Sequence, residues 1–548
     1  MNTIPYRTGT LHHALAQLAR KSPRRTALVW EDTVFTWEDL YLESLAMAEA
    51  FGDAALAPGE LVAAWGTSAP FHVVSLCAAG MVEAVHMPLN PRWPGTVLRE
   101  FAAKATLLIS DGRLPVSPAL RGPRVLSWSS REHARPRSNE PRPSSAAENS
   151  PVAVDFTRGR SGVHPRGALL THTMVLANAA ATGQLMGLGS SDSVALLFPA
   201  WQHPHELISK GLATGCTSVV VDFPYPRTIL SLLGRHTPTW VIGSPRVIEE
   251  ILPFGDRVTE AVQGVRGVLF VGDYARPRLV ARLAAAGLTL LNGWGSAETA
   301  GVAVAGPITA EASDLCGTPC AGYEASIRSA SGAKEGELVV RGNAVSLTYL
   351  DRRSVVGAEG WFATGDVVRV SQDGSLRLMG RPGEAVLGEG RRVSLARLEM
   401  ALSRVPGVSD VAAVIPTQEA GTVAVYVEPA EGMISLTPIV RRLRQFFGSA
   451  LPEVFMVPAL PRTSDGRIDK APLASGGIPA MGIEAIDRAI LELLNRRASI
   501  SATARSDENP LAVDEAVLQR MVGSNAGPLF DDAVREIYRC ILDHCRRT

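Results

Sequence analysis

The first hundred residues alternate between two hydrophobic periods. Apolar residues three and four apart predict helices over Leu11–Lys21 and Trp37–Phe51. Short β-branched and apolar runs predict strands over Thr26–Trp30 and Thr33–Thr36, forming a hairpin around Glu31-Asp32, and another over Leu61–Trp65. Pro70–Met81 is apolar all round, as a buried helix is, and Ala84–Leu89 is an apolar strand closed by Asn-Pro. Such alternation predicts an α/β layered domain.

The pattern lapses over residues 129–151, which are rich in Pro, Ser and Arg and predict a surface loop or linker. It resumes from Val152 to about Gly380. A compact α+β segment follows to Leu473, then a linker containing Ser475-Gly-Gly-Ile-Pro. From 483 onward the pattern is helical only, over Ile483–Thr503, Asp514–Met521 and Asp531–Cys545.

A chain of 548 residues is too long for one core. Its 54 basic and 54 acidic residues cancel, which removes the electrostatic footprint expected of a nucleic-acid binder. No apolar run reaches membrane-spanning length, and the N-terminal segment lacks the apolar core of a signal peptide. Six cysteines without a CxxC pair fit a reduced, cytoplasmic protein without a zinc site. Only five of the 54 basic residues are lysine, so arginine at a lysine position is less surprising than usual.

Three stretches carry candidate chemistry. Phe156-Thr-Arg-Gly-Arg-Ser-Gly-Val-His-Pro-Arg-Gly167 follows a strand (Val152–Phe156) and precedes a helix. Its glycines and hydroxyls suit close approach to an anion, and a basic turn is the plainer alternative. Leu290-Leu-Asn-Gly-Trp-Gly-Ser-Ala-Glu-Thr299 runs from a strand into a glycine turn. There Trp294 could cover a flat ring and Glu298 could hold magnesium, unless they are a core Trp and a capping Glu. Gly360-Trp-Phe-Ala-Thr-Gly-Asp366 and Asp373-Gly-Ser-Leu-Arg-Leu-Met-Gly-Arg381 offer a carboxylate for two ribose hydroxyls and a guanidinium for a phosphate.

In this order and spacing the stretches resemble the adenylate-forming superfamily of acyl-CoA synthetases, adenylation domains and luciferases. The resemblance runs from about Leu11 to Leu473 and includes Met87-Pro-Leu-Asn-Pro-Arg92, Gly336-Glu-Leu-Val-Val-Arg-Gly342, Val393–Leu402 with Pro406-Gly-Val408, and Leu460–Lys470. It implies an α/β fold with a large N-terminal domain of layered sheets (1–380) and a small mobile α+β domain (381–473). It also implies ATP and Mg2+, with CoA or a phosphopantetheine carrier arm as acceptor. Carried over by position, Thr157, Gly159, Ser161, Gly162 and Arg166 belong to the phosphate loop, and Trp294 stacks on adenine. Glu298 binds magnesium, Asp366 the ribose, and Arg381 the ribose or phosphate. Trp201, Gln202, His203, Gly243, Gly272 and Asn292 line the acid pocket, where an aromatic among polar groups suits a small or aromatic acid; His203 is also a catalytic candidate, and satisfied helix-start histidines are the alternative for His203 and His205.

The chain also departs from the family pattern. Arg158 and Arg160 replace small hydroxyl residues, one residue is inserted before Pro165, and the loop lysine is Arg166. Ala297 replaces the usual Thr, Gly383 takes the hinge position, and the catalytic lysine aligns with Arg467, whose planar fork is no isostere. Lys470 is the alternative stand-in.

The tail is similar to the all-helical chorismate mutases: Ile483–Arg497 matches their first helix, and Val534–Arg546 their last. Only Arg497 falls on one of that family's cation positions. The expected tail is therefore a degenerate all-α domain (483–548, after a linker at 474–482) kept for homodimerisation or docking. The expected function is an AMP-forming acid ligase in bacterial secondary metabolism, with an acyl carrier protein as a candidate partner. A catalytically impaired scaffold and a bifunctional protein with a working mutase are the competing readings.

Overall fold

The computed structural model describes residues 9–116, 120, 123–128, 136, 147–157, 165–220, 225–252, 256–272, 275–312, 315–329, 334–357, 359–380, 385–388, 391–416, 423–430, 436–447, 451–462, 468–475, 518–519 and 535–542. Backbone contacts divide the chain into two compact units, one of 1–415 with 419–470 and one of 416–418 with 471–548.

The first unit is built on two large sheets. A 13-stranded sheet has a parallel block in the order Thr26–Trp30, Thr217–Val220, Ser193–Leu197, Trp240–Gly243, Gly267–Val271, Thr289–Ser296; antiparallel strands extend it on both sides. The six-stranded sheet runs Arg124–Ser127, Leu107–Ser110, Leu61–Trp65, Val85–Pro88, Pro151–Thr157, Arg166–Thr171, parallel except for the last pair.

Strand periodicity explains the layering. Val62, Ala64, Leu107 and Ile109 of the six-stranded sheet face the same core as Leu28, Val194 and Leu196 of the larger one. Their neighbours point the other way: Ala63, Trp65 and Leu108 into one outer core, Val29, Ala195 and Leu197 into another. The shared core is filled by helices, among them Leu11–Lys21, Trp37–Asp53 and Ala69–Met81, the last buried at every position. The order of layers is thus helix, sheet, helix, sheet, helix.

Local signals fix the ends of these elements. The hairpin turns at Glu31, whose φ is +53°. Thr36 then caps the next helix in a reciprocal box with Asp39, the hydroxyl accepting from Asp39 N at 3.1 Å while the carboxylate accepts from Thr36 N at 2.8 Å. One strand escapes the sequence pattern. Arg166–Thr171 pairs antiparallel with Pro151–Thr157, and the helix starts only at His172.

The segment 385–456 adds a two-stranded ribbon, a three-stranded sheet (Val408–Val414, Ala424–Pro429, Glu453–Met456) and the helices Leu395–Leu402 and Leu436–Phe447. Buried Asp410, on the first of those three strands, accepts Arg276 at 2.7 Å and Arg462 at 3.1 Å. In the second unit, residues 535–542 are helical, with Leu542 buried and Ile537 exposed. The helices expected over Ile483–Thr503, and with them Arg497, lie outside the described residues.

Candidate active site

Strand Phe362–Val370 carries Asp366 behind Gly365, whose φ of +78° is glycine territory. Thr364 Oγ1 accepts from Asp366 N at 3.0 Å and donates to Leu338 O at 2.8 Å, which pins the turn. The carboxylate is buried and accepts Trp294 Nε1–H at 2.8 Å. The structure therefore brings together two residues 72 positions apart to which the family resemblance assigns ribose and adenine.

Trp294 does not stand in a turn. The segment through Ser296 remains a strand, with a bulge between Trp294 and Gly295. A Cβ on Gly295 would lie 2.1 Å from Gly301 O, so only glycine permits this approach.

Glu298 follows on the short helical turn Ala297–Thr299. It is buried, and Tyr349 donates to its Oε1 at 2.7 Å. Burial, with the adjacent Glu298 charge, pushes the Tyr349 phenol above its usual range, so it stays a donor. The Arg166 guanidinium lies over the Tyr349 ring, 5.7 Å from its centroid. Backbone bonds complete the stitching: Ser346 N to Glu298 O at 2.7 Å, Leu169 N to Thr348 O at 3.0 Å, and Leu350 N to Gly167 O at 2.7 Å. From behind, Asn178 Nδ2 donates to Val302 O at 2.9 Å, and Tyr323 donates to Thr299 O at 2.7 Å.

Thr157 and Arg166 are cross-strand partners on the two strands that flank residues 158–164. Gly159, Ser161 and Gly162 lie outside the described residues, as do Arg381 and Arg467. Lys470 pairs with Glu399 at 3.0 Å.

The expected acid-pocket residues gather at the C-terminal ends of the parallel block, where open α/β sheets bind ligands. Gly243 and Asn292 flank Phe270 in one row, and Gly272, with φ +87°, follows the middle strand. Buried Trp201 and half-buried Gln202 lie on the turn after Ser193–Leu197. His203 Nδ1 donates to Asp155 at 3.0 Å, and His205 Nε2 lies 3.3 Å from Ala300 O. The sequence reading overlooked Tyr349 and Asp155. For Asp155 a signal existed, a lone carboxylate inside the apolar run Val152–Phe156.

Comparison with known families matches residues 15–350 to the AMP-binding enzyme family. The chain belongs to that family, and hence to the adenylate-forming acid ligases. It is 27% identical to phenyloxazoline synthase MbtB of Mycobacterium sp. (strain MCS), over 84% of this chain and 41% of that much longer protein. It is 28% identical to 3-[(3aS,4S,7aS)-7a-methyl-1,5-dioxo-octahydro-1H-inden-4-yl]propanoyl:CoA ligase of Mycobacterium tuberculosis (strain ATCC 25618 / H37Rv), over 85% of this chain and 99% of the other. Among solved structures it resembles the O-succinylbenzoate coenzyme A synthetase MenE of Bacillus subtilis in complex with ATP and magnesium ion, with a TM-score of 0.73 and 19% identity over 83% of this chain and 98% of that one.

Proposed function

We propose that this chain activates a small aromatic carboxylic acid as its acyl-adenylate and passes the acyl group to CoA, a carrier-protein arm or an amine, in bacterial secondary metabolism. The observation that carries the reading is the Trp294–Asp366 pair, an indole and a buried carboxylate joined at 2.8 Å where a nucleoside presents a flat base and two hydroxyls. The substrate carboxylate attacks the α-phosphate of ATP, the bond to the β-phosphate breaks, and pyrophosphate leaves. Asp366 holds the ribose, Trp294 covers the base, and Arg166 with Arg467 supplies positive charge toward the phosphates. Trp201, Gln202, Gly243, Gly272 and Asn292 enclose the acid.

Glu298 is a hard oxygen donor of the kind magnesium prefers, and Tyr349 fixes one of its oxygens. Among the described residues no cluster of three acidic, His or Cys side chains offers a protein-only metal cage. Glu298 would hold Mg2+ jointly with the nucleotide phosphates, and the ion would neutralise their charge. Tyr349→Phe is expected to raise the Mg2+ concentration for half-maximal activity by about tenfold, since outer-sphere partners of metal ligands have effects of that order. An unchanged Mg2+ titration removes Tyr349 from this role.

In this reading residues 1–380 form the nucleotide-binding domain and 381–473 the mobile lobe. After the linker 474–482, residues 483–548 form a chorismate-mutase-like association module. ATP–pyrophosphate exchange with a panel of aromatic and aliphatic acids tests the whole. Arg467→Ala should slow exchange more than tenfold with little change in ATP affinity, while Lys470→Ala has the smaller effect. Truncation after residue 475 should keep exchange but lower the oligomeric state. No exchange with any acid refutes the ligase reading, and chorismate turnover by the full chain that is lost on Arg497→Ala refutes the passive tail.

A further inference from the structure

The lobe after residue 380 carries an apolar core of its own. The buried members of that core, from Leu395 to Phe447, belong to none of the cores around the two large sheets. At Asp410 the lobe is fastened to the large domain by ions. Arg276, the N-cap residue of helix Pro277–Ala285, meets the Asp410 carboxylate at 2.7 Å through Nη2 and donates from Nη1 to Ser409 O. Arg246, on helix Pro245–Glu249, lies 4.0 Å from the same carboxylate. Each of these three ions also has a partner on its own side. Within the lobe, Arg462 bonds Asp410 and Glu428, each at 3.1 Å. On the large domain, Arg276 lies 3.4 Å from Glu249, and Arg246 lies 3.4 Å from Glu250. Parting the two sides therefore leaves no ion without a counter-ion, and the heavy cost of breaking a buried pair comes from such an orphaned charge.

We propose that Asp410 and Arg276 form a releasable ionic clamp, which holds the lobe 381–473 in the position of one half-reaction and opens for the other. An apolar contact at this place would expose its surfaces to water whenever the lobe moved. Ions that keep a second partner on their own side exchange only the shared contact for hydration. Such a fastening can open and close within a catalytic cycle, and its strength sets how long the lobe stays in place. Removing the Arg276 side chain leaves Asp410 with Arg462, so the clamp can be broken without stranding the buried carboxylate. The inference rests on the acid-ligase reading above, including its mobile lobe, and adds the contact that governs the movement.

The test uses the full chain with whichever acid supports ATP–pyrophosphate exchange, and with CoA and hydroxylamine as acyl acceptors. Exchange reports the first half-reaction, and single-turnover transfer from preformed acyl-adenylate reports the second. Arg276→Ala should speed one of the two rates and slow the other, changing their ratio at least about fivefold, the scale of one charge-assisted hydrogen bond. Arg276→Lys keeps the charge without the fork and should restore the ratio in part. Raising the ionic strength should move the wild-type ratio in the same direction as Arg276→Ala and affect that variant less. A ratio that Arg276→Ala leaves unchanged, with exchange intact in the wild type, overturns the clamp and leaves the ligase reading standing. Should Arg276→Ala fail to fold, the salt series on the wild type decides, and a ratio indifferent to salt overturns the clamp. Wild-type protein without exchange refutes the ligase reading, and the clamp falls with it.

Discussion

Asp366→Ala is expected to weaken ATP binding at least about a hundredfold. Two hydrogen bonds from ribose hydroxyls to an ionised carboxylate contribute roughly 1.5–3 kcal/mol each. The substitution also strips Trp294 Nε1–H of the acceptor that orients its ring, 2.8 Å away. Trp294→Phe keeps a flat surface but loses that bond, and should cost less. Calorimetry is the direct measurement, and equal ATP affinity in wild type and Asp366→Ala would show that the nucleotide binds elsewhere.

Acid should destabilise the folded chain steeply between about pH 6.5 and pH 4. Burial pushes His12 down to about 3 and His72 and His172 to about 4, from an ordinary value of 6.5. Burial lowers His86 and His205 as well. A histidine with a depressed folded value contributes stability that is full above its unfolded value and is lost as pH falls toward the folded one. Glu43 works in the opposite sense. Burial raises it to about 8, so between its ordinary 4.5 and that value the folded form binds the extra proton. Counting His12, His72 and His172 against Glu43 leaves two protons, or about 3 kcal/mol per pH unit between roughly pH 6 and pH 5; His86 and His205 add in the same direction. Urea midpoints across that window, with proton uptake on unfolding, provide the check. A flat profile from pH 6.5 to 4.5 would mean that these imidazoles are charged in the folded protein.

Elements whose ends carry their own chemical signal were legible in the sequence. Leu11–Lys21 begins after an N-capping threonine, and the hairpin strands Thr26–Trp30 and Thr33–Thr36 are separated by two turn residues and stopped by the Thr36 cap. Arg166–Thr171 was missed because its strand character comes from pairing with Pro151–Thr157 and not from its own alternation. The Gly-Trp-Gly run predicts a turn. It stays extended because Gly295 packs directly on Gly301, a contact set by the partner strand. The site shows the same division. Asp366, Trp294 and Glu298 are candidates by residue type and by the family resemblance, whereas the links between them could not be read from the sequence. Tyr349 reaches Glu298 from 51 residues away, and Asp155 reaches His203 from 48.

Arg166 is a cation in a chain with only five lysines, and its setting gives it a meaning beyond charge. Lying over the Tyr349 ring, the guanidinium joins the strand Arg166–Thr171 to the phenol that donates to Glu298. An ammonium on a flexible stem would supply the same charge without the planar contact. In a chain so poor in lysine, the orientation of the acidic side chain is thus tied through an aromatic ring to the strand Arg166–Thr171.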